Sequence, residues 1–303
     1  MKKILVTGAG GFIGNKVSKM FYKLGYSVFG IDIIGNNELD LPIYSVDMKD
    51  YDCIKKILND IRPSVIVHCA GAADVQRSVK YPYMDFESNV EVTHNLLFAV
   101  HECGLDESRM VFLSSASVYG SPAVLPISED CETNPLSPYA LHKLMCEQMC
   151  RYFIVNYGTN IKIARIFSAY GEGIKKQLFW DMYQRYKTTG KLEMFGTGDE
   201  SRDYIHIDDV INAIHLLAFT QDDRTIFNMA NGVEVTIRQA VECFAECSGI
   251  SKDKISFMGT RRSGEPINWK ADITRMTDIG FEATVDMKAG LNRYVQWLNS
   301  LDE

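Results

Sequence analysis

The turn TGAGGFIG, residues 7–14, constrains the fold of this chain more than any other stretch. It follows the apolar run at residues 4–6, so that Gly8, Gly11 and Gly14 stand between a predicted strand and a predicted helix. Glycines at these places let a ligand approach the backbone closely, and the amides at a helix N-terminus bind phosphate groups. The turn therefore predicts a pyrophosphate site in a βαβ unit. Its GxxGxxG spacing differs by one residue from the GxGxxG of most dehydrogenases.

The first half of the chain alternates short apolar runs with amphipathic stretches. Runs rich in Val, Ile and Phe predict strands, and apolar residues repeating every three or four positions predict helices. The predicted strands are Lys3–Thr7, Ser27–Asp32, Val65–Ala70, Met110–Ser115 and Ile161–Phe167, and the predicted helices are Ile13–Leu24, Tyr51–Ile61, Tyr83–Cys103 and Tyr139–Tyr157. This alternation predicts an α/β fold with a Rossmann-type, doubly wound parallel sheet covered by helices on both faces.

After about residue 168 the alternation ends, and glycines cluster among shorter elements. A chain of 303 residues is long enough for two domains. The change in pattern therefore predicts a second, smaller mixed α/β domain at the C-terminal side.

Composition argues against several classes of protein. The formal net charge is −7 and the basic residues are dispersed, so nucleic acid is not an expected partner. No stretch approaches the roughly 18 apolar residues of a membrane helix, so no membrane partner is expected either. Any anionic ligand must then be held by local donors.

Eight cysteines are scattered along the chain, and no apolar leader follows the first three residues. This pattern predicts reduced thiols and a cytoplasmic protein. Cys146 and Cys150 are four apart, as are Cys243 and Cys247, so each pair would share a helix face. Zinc sites usually combine closer pairs with histidine, so core packing is the favoured interpretation and no metal is predicted.

Asp32 ends the second predicted strand, eighteen residues after Gly14. A carboxylate there can accept hydrogen bonds from both hydroxyls of a ribose and would repel a 2′-phosphate. Asp32 therefore predicts NAD rather than NADP as the cofactor. The alternative is a solvated residue at the end of a strand.

Tyr139 and Lys143 form a second candidate site, because positions four apart share one face of a helix. A neighbouring ammonium is expected to lower the pKa of the phenol from about 10, which would let it exchange protons nearer neutral pH. Many helices contain this spacing by chance. The strand predicted to end at Ser114 and Ser115 strengthens the hypothesis, since open α/β sheets bind ligands at the carboxyl ends of their strands.

Together these features resemble the extended short-chain dehydrogenase/reductase family, and within it the NAD-dependent nucleotide-sugar epimerase and dehydratase branch. The resemblance covers nearly the whole chain. It rests on TGAGGFIG, on IDI after the second strand, on VDMKD at 46–50, on VHCAGAADV at 67–75, on Pro82, Asn89 and Thr93, on SSASVYG, on YALHK, on RIFSAYGEG at 165–173, on FGTGDESRDYIHIDDV at 195–210 and on RSGEP at 262–266.

The resemblance implies a role for each matching position. Ser115, Tyr139 and Lys143 would form a Ser-Tyr-Lys triad in which Tyr139 transfers the proton and Lys143 also binds the nicotinamide ribose. Asp47 and Met48 would flank the adenine. The implied cofactor-binding residues are Gly8, Gly11, Phe12, Ile13, Gly14, Asp32, Asp47, Met48, Cys69, Ala70, Gly71, Asn89, Ser114, Tyr139 and Lys143.

The implied partner is a nucleotide-diphosphate sugar. Arg202 and Arg262 match positions that hold the diphosphate, although surface salt bridges are the alternative for both. The implied substrate-binding residues are Ser117, Ser168, Arg202, Arg262 and Trp269. By the same resemblance, residues 1–167 plus about 206–236 would bind NAD, and about 168–205 plus 237–303 would bind the nucleotide sugar. A homodimer would form through the helices Tyr83–Cys103 and Tyr139–Tyr157.

The sequence departs from the family pattern at several positions. Ala116 and Ser117 stand where sugar 4,6-dehydratases have an acidic pair, which argues against dehydration. Ser168 replaces the usual asparagine, so one contact to the nucleotide is in doubt. Trp269 falls at a gate position, where an indole would crowd a bulky 2-substituent and favour plain hexoses or 6-deoxyhexoses. The alternative for Trp269 is core packing.

Three hypotheses follow for function. The leading one is an NAD-dependent nucleotide-sugar 4-epimerase acting on a UDP-hexose, through transient oxidation at C4 and return of the hydride. The second is a nucleotide-linked 4-keto-6-deoxysugar reductase, which Asp32 disfavours because such enzymes often use NADPH. The third is a non-catalytic dinucleotide sensor, which would not need Tyr139.

Overall fold

The computed structural model describes residues 1–34, 41–260 and 266–302. The chain divides into two compact units. The first unit comprises residues 1–120, 132–166 and 211–227, and the second comprises residues 121–131, 167–210 and 228–303. The binding roles assigned to the two predicted domains stay predictions.

Twelve strands and eleven α-helices occur in the described part of the chain. The strands are β1 (Lys3–Thr7), β2 (Ser27–Asp32), β3 (Ile43–Ser45), β4 (Val65–His68), β5 (Arg109–Ser115), β6 (Ile161–Ile166), β7 (Ser168–Tyr170), β8 (Leu192–Met194), β9 (Ser201–His206), β10 (Ile226–Met229), β11 (Glu234–Thr236) and β12 (Ile255–Phe257). The helices are α1 (Phe12–Lys23), α2 (Tyr51–Ile61), α3 (Val75–Lys80), α4 (Pro82–Phe86), α5 (Val92–Glu102), α6 (Pro138–Tyr157), α7 (Gln177–Thr189), α8 (Ile207–Phe219), α9 (Ile237–Cys247), α10 (Thr274–Asp278) and α11 (Met287–Asn299).

The central sheet has, within the described residues, seven strands in the order β10-β6-β5-β4-β1-β2-β3. The neighbouring pairs from β3 to β6 are all parallel. Strand β4 is buried at every position, as expected for a parallel strand covered on both faces. From β1 the chain continues outward to β2 and β3 on one side, and then to β4, β5 and β6 on the other side. Open α/β sheets bind ligands at the carboxyl ends of the strands where the order reverses in this way.

Helices cover both faces of this sheet. On one face, apolar residues of α2, α5 and α6 form a continuous core with the strands, including Ile54, Leu96 and Phe153. On the other face, Phe21 of α1 packs against His215 and Phe219 of α8. The predicted α/β fold with a doubly wound parallel sheet is therefore confirmed.

The predicted helix Tyr83–Cys103 is interrupted in the structure. Helix α4 passes into a π-helical segment, Glu87–Glu91, before α5 begins. Inside this segment Asn89 Nδ2 donates to the carbonyl of Asp85, and the hydroxyl of Thr93 donates to the carbonyl of Asn89. These side chains compete for carbonyls of the helix, and single π turns of this kind are frequent at functional sites.

The second unit has its own sheets and aromatic core. Strand β9 lies between β7, which is parallel to it, and β11, which is antiparallel, while β12 pairs with β8. The rings of Phe179 on α7 and Phe244 on α9 stack with centres 5.9 Å apart. Tyr294 of α11 also packs on Phe179.

Among the residues that the structure describes, no helix is both long and apolar enough to cross a membrane.

Candidate active site

The carboxyl ends of four neighbouring strands in the first unit carry the predicted cofactor residues. Gly8 follows β1, Asp32 ends β2, Cys69 follows β4 and Ser115 ends β5. Because these strands are parallel and adjacent, their carboxyl ends meet at one edge of the sheet.

The glycine turn leaves no space for side chains. Gly8 has φ +66°, and a Cβ on it would lie 2.8 Å from the amide nitrogen of Ala70. A Cβ on Gly14 would lie 2.1 Å from the carbonyl oxygen of Gly8. Only glycine fits at either position, so the backbone of β1, α1 and the residues after β4 can pack closely.

Helix α1 begins without a side-chain cap. The N-cap residue is Gly11, which has no side chain to accept hydrogen bonds from the amides of the first turn. These amides belong to Phe12, Ile13 and Gly14. Unsatisfied amides at a helix N-terminus form an anion site. This cradle of glycines and uncapped amides would suit the pyrophosphate of a dinucleotide, and its role as a phosphate site stays a prediction.

Asp32 faces the same turn. Its Oδ2 accepts a hydrogen bond from the amide of Gly10 at 2.8 Å, and its Oδ1 accepts one from the amide of Ile34 at 3.0 Å. A Cβ on Gly10 would lie 3.3 Å from the carboxylate. Gly10 therefore also belongs to this turn, although it is not one of the three glycines of the GxxGxxG spacing. The sequence signal for Gly10 is that it stands directly before Gly11.

Asp47 and Met48 lie between β3 and α2. Asp47 is exposed and accepts a hydrogen bond from the amide of Lys49, while Met48 is buried and its carbonyl accepts one from Asn95. Their predicted contact with the adenine stays a prediction.

A one-way chain of hydrogen bonds runs through His68 beneath this edge. The Ala70 amide donates to the Thr7 hydroxyl, which in turn donates to His68 Nδ1 at 2.7 Å. His68 Nε2 then donates to the Thr93 hydroxyl at 3.1 Å, because that hydroxyl already donates to the carbonyl of Asn89. The chain fixes a neutral imidazole, and burial lowers the pKa of His68 to about 3.

Gly71 brings Asn89 and Lys143 close together. A Cβ on Gly71, which has φ +142°, would lie 2.6 Å from Asn89 Oδ1 and 3.5 Å from Lys143 Nζ. Asn89 Oδ1 is buried, and the described residues offer it no hydrogen-bond donor. Burial raises the pKa of the Cys69 thiol to about 12, so that this cysteine is a neutral, unreactive side chain of the cleft.

Helix α6 presents Tyr139 and Lys143. Ser137 caps the helix by accepting a hydrogen bond from the amide of Ala140, and Pro138 follows at the first helical position. The side chain of Ser115 neighbours the phenol of Tyr139 and lowers its pKa. The structure thus brings together the hydroxyl and the phenol of the predicted triad.

Lys143 approaches strand β5 rather than solvent. Its Nζ donates to the carbonyl of Leu113 at 3.0 Å, and burial lowers its pKa. The pKa of Tyr139 is raised by burial to about 12, with the hydrogen bond from Ser115 opposing this effect. The prediction that Lys143 lowers this pKa from about 10 is wrong for the protein alone, because loss of solvation raises the pKa and the opposing effect comes from Ser115.

The neighbours of Ser115 have distinct environments. The Ser114 hydroxyl donates to Glu147 at 2.6 Å, so this hydroxyl could only accept a hydrogen bond from a cofactor. Ala116 is fully buried and carries no acid. The Ser117 hydroxyl is buried and has no hydrogen-bond partner among the described residues, which suits its predicted contact with a ligand.

Apart from Ser117, the predicted substrate residues that the structure describes belong to the second unit; they are Ser168, Arg202 and Trp269. Arg202 donates to the carbonyls of Ser201 and Ile267, and its guanidinium lies 5.6 Å from the ring of Trp269. Trp269 is buried and packs edge to face on Phe167. Ser168 begins β7, and Arg262 lies outside the described residues.

Three features of the first unit are typical of Rossmann-type oxidoreductive enzymes. They are the glycine turn after β1, the acidic residue at the end of β2 and the neighbouring side chains of Ser115 and Tyr139. Within that class, residues 4–230 match the NAD dependent epimerase/dehydratase family, and the chain belongs to this family. The predicted family is therefore confirmed, and NAD is the cofactor on which the family depends.

Known proteins resemble this chain over its full length. A putative UDP-glucose 4-epimerase of Methanocaldococcus jannaschii is 30% identical over 98% of this chain and 98% of its own. The UDP-glucose 4-epimerase of Thermotoga maritima, solved with UDP-glucose, has a TM-score of 0.91 and 26% identity, covering 99% of this chain and 100% of its own. The UDP-glucuronic acid 4-epimerase of Bacillus cereus, solved with UDP-glucuronic acid and NAD, has a TM-score of 0.88 and 28% identity, with 99% of each chain covered.

Proposed function

We propose that this protein is an NAD-dependent UDP-hexose 4-epimerase. The observation that carries the proposal is that Ser115, at the carboxyl end of β5, acts as a neighbour that lowers the pKa of the Tyr139 phenol, in the same unit as the glycine cradle of α1. The full-length similarity to 4-epimerases of UDP-glucose and UDP-glucuronic acid supports the choice of reaction.

The side chains of the first unit account for the proton chemistry. Tyr139 accepts the proton of the sugar hydroxyl at C4, and Ser115 donates a hydrogen bond to the oxygen as it becomes a ketone. Lys143 supplies a positive charge beside the site and a donor for the ribose. Bound NAD would supply the hydride acceptor and donor that oxidation and re-reduction at C4 require.

The pKa of Tyr139 fits this scheme once the cofactor is considered. A phenol with a pKa of about 12 is a poor base at neutral pH. The positively charged nicotinamide ring of NAD would stabilise the phenolate, so we expect oxidation only in the presence of the oxidised cofactor.

We assign a substrate contact to each of the predicted substrate residues. Ser117, with its unpartnered hydroxyl, would contact the sugar. Arg202, Arg262 and Ser168 would bind the nucleotide diphosphate, and Trp269 would restrict the substituent at C2. The burial of Trp269 against Phe167 equally suits a packing role, and the substrate test below separates the two.

We also propose a cytoplasmic homodimer. All eight cysteines are free thiols, which suits a reducing compartment. Helices α4 and α6 expose large apolar side chains, among them Tyr83, Met84, Leu141 and Met145. Apolar helix faces of this kind suit an interface between two copies related by a two-fold axis.

The decisive experiment identifies the cofactor and the reaction together. The purified protein is denatured to release any bound dinucleotide, and the native protein is incubated with UDP-glucose, UDP-glucuronic acid, UDP-N-acetylglucosamine and a 4-keto-6-deoxy sugar nucleotide. Formation of a C4 epimer without added cofactor supports the proposal. Consumption of NADPH with the keto sugar would instead indicate a reductase, and no reaction with any of them a sensor. Turnover of UDP-N-acetylglucosamine would contradict a restricting role for Trp269.

A further inference from the structure

A buried ion pair joins helix α6 to strand β6. Arg165 Nη2 lies 2.7 Å from Glu147 Oε2, and Arg165 Nε lies 3.0 Å from Glu147 Oε1, so the contact is bidentate. The two residues are 1% and 0% exposed. The guanidinium also lies 4.6 Å from the ring of Tyr119. Neither charged residue has a role in the proton chemistry proposed above.

Glu147 binds two residues that face each other in the sheet. The Ser114 hydroxyl donates to Glu147 Oε1 at 2.6 Å, and Ser114 pairs in register with Arg165 on the adjacent strand. The carboxylate thus accepts hydrogen bonds from β5 and β6 at the same level of the sheet. Burial disfavours the charge of Arg165, but its hydrogen bonds to Glu147 raise its pKa, so the guanidinium stays charged.

Three consecutive residues of β5 bind three residues of α6 that are one turn apart. Leu113 accepts a hydrogen bond from Lys143, Ser114 donates one to Glu147, and the side chain of Ser115 neighbours the Tyr139 phenol and lowers its pKa. Positions 139, 143 and 147 are four apart and share one stripe of the helix. Contact between Ser115 and Tyr139 therefore depends on the register of α6 along β5, and Glu147 is one of the three points that fix this register.

A buried ion pair gives little net stability, because desolvation offsets the attraction between its charges. Its best-attested use is to specify one register among alternatives. A carboxylate held by two donors at fixed positions on the sheet is well suited to that use, since sliding α6 by one turn would separate the buried charge of Arg165 from its carboxylate.

We propose that Glu147 and Arg165 are positioning residues of the active site, whose ion pair sets the register of α6 on β5 and so places Tyr139 against Ser115. This inference rests on the proposed epimerase function for its kinetic readout. A catalytic role is not assigned to either residue.

The first test removes both charges at once. In Glu147→Leu/Arg165→Met the side chains keep similar volumes, so the fold is expected to survive. We expect kcat for the UDP-hexose to fall about 10- to 100-fold, because a misplacement of the order of 1 Å has effects of this size, while KM and the amount of retained NAD change less than about twofold. Unchanged kcat in the folded double variant would overturn the proposal.

A milder variant and a matched control separate positioning from general loss of stability. Ser114→Ala removes one hydrogen bond to Glu147 and should fold in any case; we expect kcat to fall about 3- to 10-fold at unchanged KM. Cys150→Ala truncates another buried residue of α6 that takes no part in these contacts. Equal losses of kcat in Ser114→Ala and Cys150→Ala at equal melting temperature would contradict positioning.

A structural readout decides the matter without any activity. In a crystal structure of the double variant, or of Ser114→Ala if the double variant does not fold, the Tyr139 hydroxyl is expected to move out of hydrogen-bond distance of Ser115. Retention of this contact would overturn the proposal. If the unmodified protein epimerises no UDP-hexose, the proposed function fails, and this structural comparison still tests the positioning role.

Discussion

The hydroxyl of Ser78 accepts a hydrogen bond from the backbone amide of Tyr139 at 3.1 Å. Ser78 is buried and donates in turn to the carbonyl of Val75, so the start of α6 is anchored to α3 through the main chain. The anchor satisfies an amide that the first turn of a helix leaves free. Because it does not use the phenol of Tyr139, that group stays available to Ser115 and to a substrate.

Removal of the phenolic hydroxyl should separate binding from turnover. In Tyr139→Phe we expect turnover to fall by about 100-fold or more, the usual contribution of a general acid or base, with NAD retained as in the unmodified protein. The readout is epimer formation beside the amount of dinucleotide released on denaturation. Tyr152→Phe, an exposed tyrosine of the same helix, is the control and should keep full activity. Comparable rates in the two variants would remove Tyr139 from the mechanism.

The glycine turn can be tested with a pair of glycines that share one backbone conformation. Gly8 has φ +66° and Gly104 has φ +60°, but a Cβ on Gly8 would meet the backbone of Cys69 and Ala70, whereas Gly104 has open space around it. Gly104→Ala should cost only the strain of a left-handed alanine, about 1–2 kcal/mol. Gly8→Ala should cost more and abolish NAD binding, measured by calorimetry. Equal losses of stability and of NAD affinity in both would contradict the cradle.

The fold was predictable where local chemistry decides the conformation. Strand β1, the glycine turn and helix α6 follow from apolar runs, glycine spacing and capping residues, and their predicted bounds differ from the observed ones by a residue at most. The break in the helix at Asn89 was not predictable, because it depends on side chains that compete for carbonyls once the helix is packed.

The site was predictable in its members but not in its electrostatics. The spacing of Tyr139 and Lys143 identifies the pair, yet the raised pKa of Tyr139 results from burial, which no spacing reveals. Likewise, the contact of Glu147 with Arg165 joins residues eighteen positions apart on different elements. Only the tertiary structure brings them together, so sequence patterns of three or four residues cannot detect it.

Asp32 should govern the choice between the two dinucleotides. In Asp32→Asn the amides of Gly10 and Ile34 keep an acceptor at only one oxygen, and the charge that would repel a 2′-phosphate is lost. We expect NAD to bind about tenfold more weakly, and we expect the preference for NAD over NADP to decrease by more than this factor. Fluorescence titration with both dinucleotides measures the ratio. An unchanged ratio would place Asp32 outside the cofactor site.

The proposed dimer makes a prediction about helix α6. Leu141 and Met145 are one turn apart and exposed on the same face. Burying a carboxylate in an apolar interface is costly, so Leu141→Glu should convert the dimer to a monomer in sedimentation velocity. Val124→Glu, at an exposed apolar residue of the second unit, should leave the dimer intact. Sedimentation of the unmodified protein as a monomer would refute the interface.

His68 should make the stability of the protein depend on pH. Its pKa is lowered to about 3 in the folded protein by burial and by the charge of Lys143, while an unfolded histidine titrates near 6.5. Between these values the unfolded chain binds a proton that the folded chain does not. The contribution of His68 to the free energy of unfolding is therefore complete above about pH 6.5 and decreases as the pH falls. From pH 7 to pH 5 this linkage removes about 2 kcal/mol from the free energy of unfolding.

A comparison of two glutamine variants isolates this contribution. His68→Gln cannot take up the proton, so most of the decrease of about 2 kcal/mol in the free energy of unfolding between pH 7 and pH 5 should disappear. The stability of this variant at pH 7 is lower than that of the unmodified protein, because the hydrogen bond with Thr7 is disturbed. His94→Gln replaces an exposed histidine of α5 and should keep the full decrease. Urea unfolding of the three proteins at both pH values measures each difference. A decrease between pH 7 and pH 5 in His68→Gln equal to that of the unmodified protein would show that His68 takes up its proton in the folded state as well.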